Sequence, residues 1–435
     1  MRASTLQLPF MPAPIPADTI PSLHFVKYMG SKRNILSFLI PILENVVPRG
    51  GRLLDLFAGT HSIGYAMKQH GPVWGNDIQH YAGMLGETLL RTDPVALRDV
   101  NFDSCVGIPA RRYYEHTSAL WKPWLGRERD VLTLSATDID AGLAAYLTFI
   151  ADLDAALPHG GDSRRLSPDL QDTVQHVVRG ERVMPPMMAA LYWSTSYFSL
   201  EQCLWLDAYR QAIEDLPADH LGRATALSCL LHAAAYCTHG TGHFAQHRKL
   251  TSVSVLEDAL RYRTRSVPGY WRAKLDLVDR ELLGPSDVNH VTVGDYTEPL
   301  ADLGGVDAVY ADPPYSFVHY SRFYHVLETL ALYDTPGTEY DGRYRPTTLR
   351  HQSPFCIRSQ MAAAFESVLR ASREAGIPLV WSYSRSGLMP FGSLIDLCER
   401  YYSTVEVQEQ QYRHATMGRR EDKTRDVAEV AIICS

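Results

Sequence analysis

The run Asp307-Ala308-Val309-Tyr310-Ala311-Asp312-Pro313-Pro314-Tyr315 begins as a strand and ends as a stiff, polar loop. Its apolar half has the length and character of a strand buried on both faces in a parallel sheet. Ligands of such sheets bind beyond the carboxyl ends of the strands, so Asp312 is aimed at a ligand. Two prolines stiffen the loop and remove two backbone donors, while the Pro313 carbonyl stays available as an acceptor. Tyr315 adds a flat aromatic face. One carboxylate, one carbonyl and one ring suit a planar substrate with an exocyclic amine. The amine donates to Asp312 and Pro313, and the ring stacks on Tyr315. A plain strand ending in a proline turn has the same letters, and the neighbouring segments separate the two.

Nearer the N-terminus, residues 52–57 read as a strand, and Ala58 to Gly64 as a glycine-rich turn into a helix ending near Gly71. The glycines let backbone approach a ligand closely. No Gly-Lys-Ser/Thr closes the turn, so it is not a phosphate loop. Val73 to Asp77 reads as a second strand ending in an acid, about 20 residues beyond Asp55, where nucleotide folds place a ribose ligand. An enzyme using NAD shares that acid, and Asp77 also suits the cap of the helix that follows. Val291 to Val293 is a further strand, ending in Gly294 and Asp295. Asp77, Asp295 and Asp312 thus bring acids from three strand ends to one rim. Before all of these, Lys27 to Asn34 holds Gly30, Ser31 and Lys32 ahead of an apolar helical pattern from Ile35 to Leu43. That is either an anion-binding turn or a basic helix start.

The chain has 435 residues, 46% hydrophobic and 21% charged, with net charge -7. That is enough for two or three domains. The molecule is no polycation, so nucleic-acid contact requires a local basic patch. Seven scattered cysteines argue for reduced thiols in the cytoplasm. Neither a membrane span nor a signal peptide is legible. Residues 1–22, rich in proline, read as a disordered leader.

Residues 92–285 separate the second strand from the next and are far longer than an ordinary connection. They read as an inserted, mainly helical lobe, with helices over 139–157, 200–216, 223–237 and 253–262. Its end carries Arg248, Lys249, Arg261, Arg263 and Arg265, interleaved with Phe244, Tyr262, Tyr270 and Trp271. Basic groups neutralise phosphates and rings stack on bases. A solvated helix face has much the same charges. Cys229, His232, Cys237, His239 and His243 lack the spacing of a zinc site, and no metal is expected.

Asp312-Pro313-Pro314-Tyr315 resembles motif IV of the amino-methyltransferases, which methylate exocyclic amines of DNA bases with S-adenosylmethionine. The segment from Lys27 resembles their motif X, and the strand, Asp55 and glycine turn resemble motif I. Asp77 and Asp295 match the acids placed near the adenosyl ribose and the adenine amine, and Ile377 to Ser384 resembles motif VI. The order of motifs is similar to that of the Dam-like alpha group of DNA adenine N6-methyltransferases, over roughly residues 24–91 and 286–435.

The resemblance implies an α/β fold, a class I methyltransferase (Rossmann-like) mixed seven-stranded sheet. The catalytic domain would comprise residues 23–91 and 286–435, with 92–285 as the target-recognition lobe. It implies cofactor contacts from Tyr28, Gly30, Ser31, Lys32, Asp55, Phe57, Ala58, Gly59, Thr60, Asp77 and Asp295. Catalysis would rest on Asp312, Pro313, Pro314 and Tyr315, acting on an adenine flipped from duplex DNA. Arg322 is placed to hold a phosphate beside that nucleotide, or to decorate a helix start. Val405 to Tyr412 and Val427 to Cys434 read as a closing antiparallel pair, whose loop offers Arg419 and Arg420 to DNA. A cognate restriction or defence partner is plausible for the class. Transfer to cytosine N4, RNA or a protein amide, and a non-catalytic DNA-binding protein on the same fold, are the competing readings.

Overall fold

The computed structural model describes residues 20, 23–26, 32–179, 181, 187–240, 243–284, 288–314, 320–334, 337–413 and 426–435. Seven strands form one sheet in the order β3-β2-β1-β4-β5-β7-β6. They are β1 (Leu53–Asp55), β2 (Val73–Asp77), β3 (His290–Val293), β4 (Ala308–Ala311), β5 (Leu379–Ser384), β6 (Val405–Arg413) and β7 (Asp426–Cys434). The first five pair in parallel, and β7 runs antiparallel to both its neighbours. The sheet is therefore mixed, as expected, and the closing pair lies where the sequence placed it.

β1 and β4 are the central pair. All residues of both are buried, which is why they read as continuous apolar runs. The chain passes from β1 out to β2 and β3, then returns to β4 on the other side of β1. The strand order therefore reverses between β1 and β4, and open parallel sheets bind ligands at that crevice. Residues alternate between the two faces. Leu54, Val309, Leu379, Trp381, Val430 and Ile432 pack against the helices Met361–Glu374 and Phe391–Tyr401. Leu53, Ala308, Tyr310, Val380 and Ala431 face the other way, toward α1 (Leu36–Val46) and α2 (Ser62–Met67).

The insert is helical, as its composition predicts. Helices at Ile139–Ala156, Leu200–Glu214, Arg223–Cys237 and Val253–Arg263 match the expected spans within a few residues. Further helices at Ile108–Leu120, Lys122–Thr137 and Val267–Glu281 join them. The insert does not keep its core to itself. One continuous apolar cluster runs from Tyr81, Ala82 and Leu85 of α3 (His80–Gly86) through Leu204, Leu230 and Trp271 to Val326 and Leu330. Burial against the sheet-side helices stabilises each such side chain by roughly 1.5–3 kcal/mol. Asn289 stitches the insert's exit to its entrance. Its Oδ1 accepts from Val73 N at 2.8 Å, 216 positions away, and its Nδ2 donates to Leu90 O at 2.9 Å.

Candidate active site

The floor of the cleft is built from strand ends. β1 stops at Asp55, and the Leu56 amide still donates to Tyr310 O of β4 at 2.9 Å. The turn then closes tightly, with Gly59 at φ +53° and His61 at φ +56°. A left-handed backbone costs a non-glycine residue of order 1 kcal/mol. His61 tolerates it because its ring is fully buried against two glycines. A Cβ at Gly75 would stand 2.6 Å from the ring, and one at Gly86 also 2.6 Å. Burial lowers the imidazole pKa to about 4, so the ring is neutral. Asn76 ties three strand ends together. It donates to Leu56 O and Gly294 O at 3.3 and 3.4 Å and accepts from Thr292 Oγ1 at 2.8 Å.

Asp77 holds the turn from below. Its Oδ2 accepts from Gly59 N and its Oδ1 from Gln79 N, both at 2.9 Å. It thus anchors the entry to α3 while still lining the cleft. Burial raises its pKa to about 6 despite these bonds. Asp295 accepts from Thr297 N and Thr297 Oγ1 at 3.0 and 2.6 Å and also lines the cleft. Phe57 meets the rings of Phe355 and Tyr296 at 5.3 and 5.7 Å, forming an aromatic wall. Thr60, 8% exposed, shares a hydroxyl contact of 2.9 Å with Ser62. Ala58 and Gly59 complete the turn. The whole cleft encloses about 1170 Å³, part of it open to solvent.

Asp312 follows β4 directly and lies across the crevice from Asp55. Its Oδ1 stands 3.0 Å from Lys32 Nζ, and Lys32 Nζ also meets Glu429 Oε1 at 2.6 Å. Ser382 Oγ donates to the same Glu429 oxygen at 2.5 Å. Burial raises the Asp312 pKa to about 6; Lys32 pulls it down and Glu429 pushes it up. Asp55 is more extreme. It is 1% exposed, its Oδ1 has no hydrogen-bond partner among the described residues, and burial with Asp312 and Asp77 nearby raises its pKa to about 8. Pro313 and Pro314 line the cleft, and Cys356 Sγ donates to Pro314 O at 3.5 Å. Tyr320, Ser321 and Tyr324 form the wall beyond them. The helix that follows is locked to α3, because Glu328 accepts from His80 N and Tyr81 N, both at 3.1 Å.

Of the residues singled out from sequence, Lys32, Asp55, Phe57, Ala58, Gly59 and Thr60 line this one cleft, with Asp77, Asp295, Asp312, Pro313 and Pro314. Tyr28, Gly30, Ser31, Tyr315, Arg419 and Arg420 lie outside the described residues. The basic residues of the insert have other surroundings. Arg263 is 3% exposed and donates to Phe198 O and Ser196 O at 2.9 and 2.8 Å, an inward, architectural placement. Arg265 donates to Tyr236 O and stacks on Tyr262 at 4.1 Å. Arg248 pairs with Asp258, and Lys249 with Asp341 at 2.8 Å. Arg261 is exposed. Arg322 lies half-buried beside the cleft wall, 5.9 Å from the Tyr344 ring. Among the described residues, no three His, Cys, Asp or Glu side chains converge as metal ligands, and no helix is long and apolar enough to cross a membrane.

Sequence reasoning did not single out Glu429, Ser382 or Asn76. Glu429 did leave a signal: a lone acid in the apolar run from Val427 to Cys434 of an interior strand. A charge there requires a partner.

Comparison with known proteins agrees with this geometry. The model of the D12 class N6 adenine-specific DNA methyltransferases matches residues 28–120 and 261–381. Modification methylase LlaI of Lactococcus lactis subsp. lactis is 24% identical over 89% of this chain and 51% of its own length. Type II methyltransferase M.FokI of Planomicrobium okeanokoites is 29% identical over 84% of this chain and 45% of its own. Type II methyltransferase M.NlaIII of Neisseria lactamica is 31% identical over 29% of this chain and 37% of its own. The chain spans about half the length of these relatives, or less.

Proposed function

The chain belongs to the D12 class N6 adenine-specific DNA methyltransferase family, and from that premise we propose that it methylates the exocyclic N6 amine of adenine at specific DNA sites. The observation that carries the reading is convergence. Asp312, at the strand-order reversal, shares one cleft with the β1 turn and with the acids ending β2 and β3.

S-adenosylmethionine, when bound, supplies an electrophilic methyl on a sulfonium. The residues present fit it. The turn at Gly59 offers close backbone approach, and Asp77 and Asp295 offer acceptors to hydroxyls and to an amine. The aromatic wall at Phe57 suits a purine, and the buried carboxylates suit a cation. Asp312 accepts a hydrogen bond from the substrate amine and directs its lone pair into the cleft. The Pro313 carbonyl is the second acceptor. Ionised Asp312 also stabilises positive charge developing on the amine, in a cleft that holds it only partly exposed. Holding the amine in line contributes as much as any charge, because orientation alone supplies several kcal/mol of a transfer barrier. The adenine must leave its stack to reach Asp312, which costs a few kcal/mol. Tyr315 would hold the base plane there.

The names of the relatives support a place in DNA modification, and we infer a cytoplasmic enzyme working on duplex DNA beside a cognate restriction or defence partner. The test is transfer of labelled methyl from S-adenosylmethionine to unmethylated duplex DNA, single-stranded DNA and RNA, followed by nucleoside analysis. N6-methyladenine in duplex DNA is expected. N4-methylcytosine, or label confined to RNA, would overturn the substrate. No label, with cofactor bound, would leave a DNA-binding protein on this fold.

A further inference from the structure

Glu429 is 2% exposed, on an interior strand, and is the residue of β7 paired with Ser384 of β5. Alternation puts it on the same face as Ala431, the face that also carries Asp55, Tyr310, Asp312 and Ser382 at its carboxyl-terminal end. Lys32, opening the turn that leads into α1, comes down onto this face from above. The result is a chain of contacts: Ser382 Oγ to Glu429 Oε1, Glu429 Oε1 to Lys32 Nζ, and Lys32 Nζ to Asp312 Oδ1. Lys32 and Glu429 are joined across 397 positions of sequence. Glu429 and Ser382 lie beyond the segments that the family model matches.

A lone lysine against the catalytic carboxylate would work against the reaction assigned above. As the amine nitrogen forms its bond to the methyl carbon, the carbon–sulfur pair leaves with sulfur and the nitrogen becomes cationic. One N–H proton must then pass to an acceptor, Asp312 or a water beside it. An uncompensated ammonium 3.0 Å away opposes that cation and weakens Asp312 as an acceptor. A second carboxylate on the far side of the ammonium cancels both effects.

We propose that Glu429 is a positioning residue for the transfer: it anchors and neutralises Lys32, so that Asp312 is held aimed into the cleft and stays an effective hydrogen-bond and proton acceptor. The inference rests on the methyltransferase reading. The groups facing the cluster are Asp55 from β1, Tyr310 from β4, Tyr320 from the helix Tyr320–Phe323 and Cys356 from the turn Pro354–Cys356. Of these, Asp55 is the other carboxylate beside Asp312.

The test compares wild type with Glu429→Gln, which keeps the shape and removes the charge. Wild type is assayed first for methyl transfer to DNA; no transfer there sinks the functional reading itself, separately from this inference. With wild type active, Glu429→Gln is expected to lower plateau kcat about tenfold or more, below the roughly 10²–10⁴-fold of a direct acid or base, as fits a residue acting through another. KM for DNA and binding of S-adenosylhomocysteine are expected to stay within about threefold, a small fraction of a binding energy. The acid limb of the kcat–pH profile is expected to move to lower pH, because Lys32 then acts on Asp312 unopposed. The double variant Lys32→Met with Glu429→Leu is expected to exceed Glu429→Leu alone in both stability and kcat. The single change leaves the buried lysine acting on Asp312 with no opposing carboxylate from Glu429, and the double change removes both members of that pair. An unshifted pH profile with wild-type kcat in Glu429→Gln overturns the proposal. So does a loss of activity that merely follows a lowered melting temperature with the profile unmoved, which would leave Glu429 a structural residue.

Discussion

Lys32 and Arg263 are both buried cations, and they serve opposite ends. Arg263 spends its guanidinium on two backbone carbonyls inside the helical insert. Those carbonyls have no charge to lose and no chemistry to perform, so the arginine is a brace. Lys32 is set between two carboxylates at the rim where strand order reverses. There each contact changes the acidity of a group facing the cleft. A buried charge is thus informative through its partners and its place relative to the strand ends, and hardly at all through its identity.

Four changes bear on this contrast, beginning with the largest expected effect. Asp312→Ala should cut methyl transfer by about a thousandfold or more, within the range for a positioned acid or base. Equilibrium binding of the cofactor should stay within about tenfold. A variant that binds and still transfers at full rate would dissolve the distinction between rim and insert. Asp55 comes next. The unfolded chain releases this proton near 3.8, and the folded protein holds it to about 8. The stabilising contribution is therefore fully present at low pH and lost as pH rises through that window, by up to about 1.4 kcal/mol per pH unit. Asp55→Asn should flatten that part of the curve of unfolding free energy against pH. An unchanged slope would show that Asp55 ionises freely inside the fold. Arg263→Ala should cost about 2–3 kcal/mol of stability by stranding two carbonyls, seen in denaturant melts, with KM for DNA unchanged. A selective loss of DNA binding, with stability intact, would turn the brace into a contact. Arg261, exposed on the same helix, is the sharper probe of a DNA-facing insert. Arg261→Ala should lower the salt slope of DNA binding by about 1, with stability changed by less than about 0.5 kcal/mol.

The rim was legible in the sequence for a local reason. Strand, turn and acid recur within a few residues at Asp77, Asp295 and Asp312, and the parallel run of their strands carries them to the same edge. The strands and the main insert helices were readable by the same local logic. The insert's basic run left two readings open for an equally local reason. Composition reports charge but not direction, and Arg263 points inward because Phe198 and Ser196, far away in the chain, need donors. The contact of Glu429 with Lys32 was hidden by distance along the chain, since no window of sequence spans it. His61 was hidden in another way. Its burial depends on absent side chains at Gly75 and Gly86, and each of those glycines alone reads as an ordinary strand or helix residue.

The pairing of Asn289 with Val73 has a consequence in time. Strands β1 and β2 leave the ribosome long before β3 and β4, which close the sheet on either side of them. At about 5–20 residues per second, the interval between completing β2 and reaching β4 is roughly 10–50 s. Throughout it, two short parallel strands stand with open edges and with no central partner for β1. The insert is synthesised in that interval, and its helices share a core with α3, which flanks those strands. The helical insert is therefore placed to act as a holding surface, covering the first half of the sheet until the second half arrives.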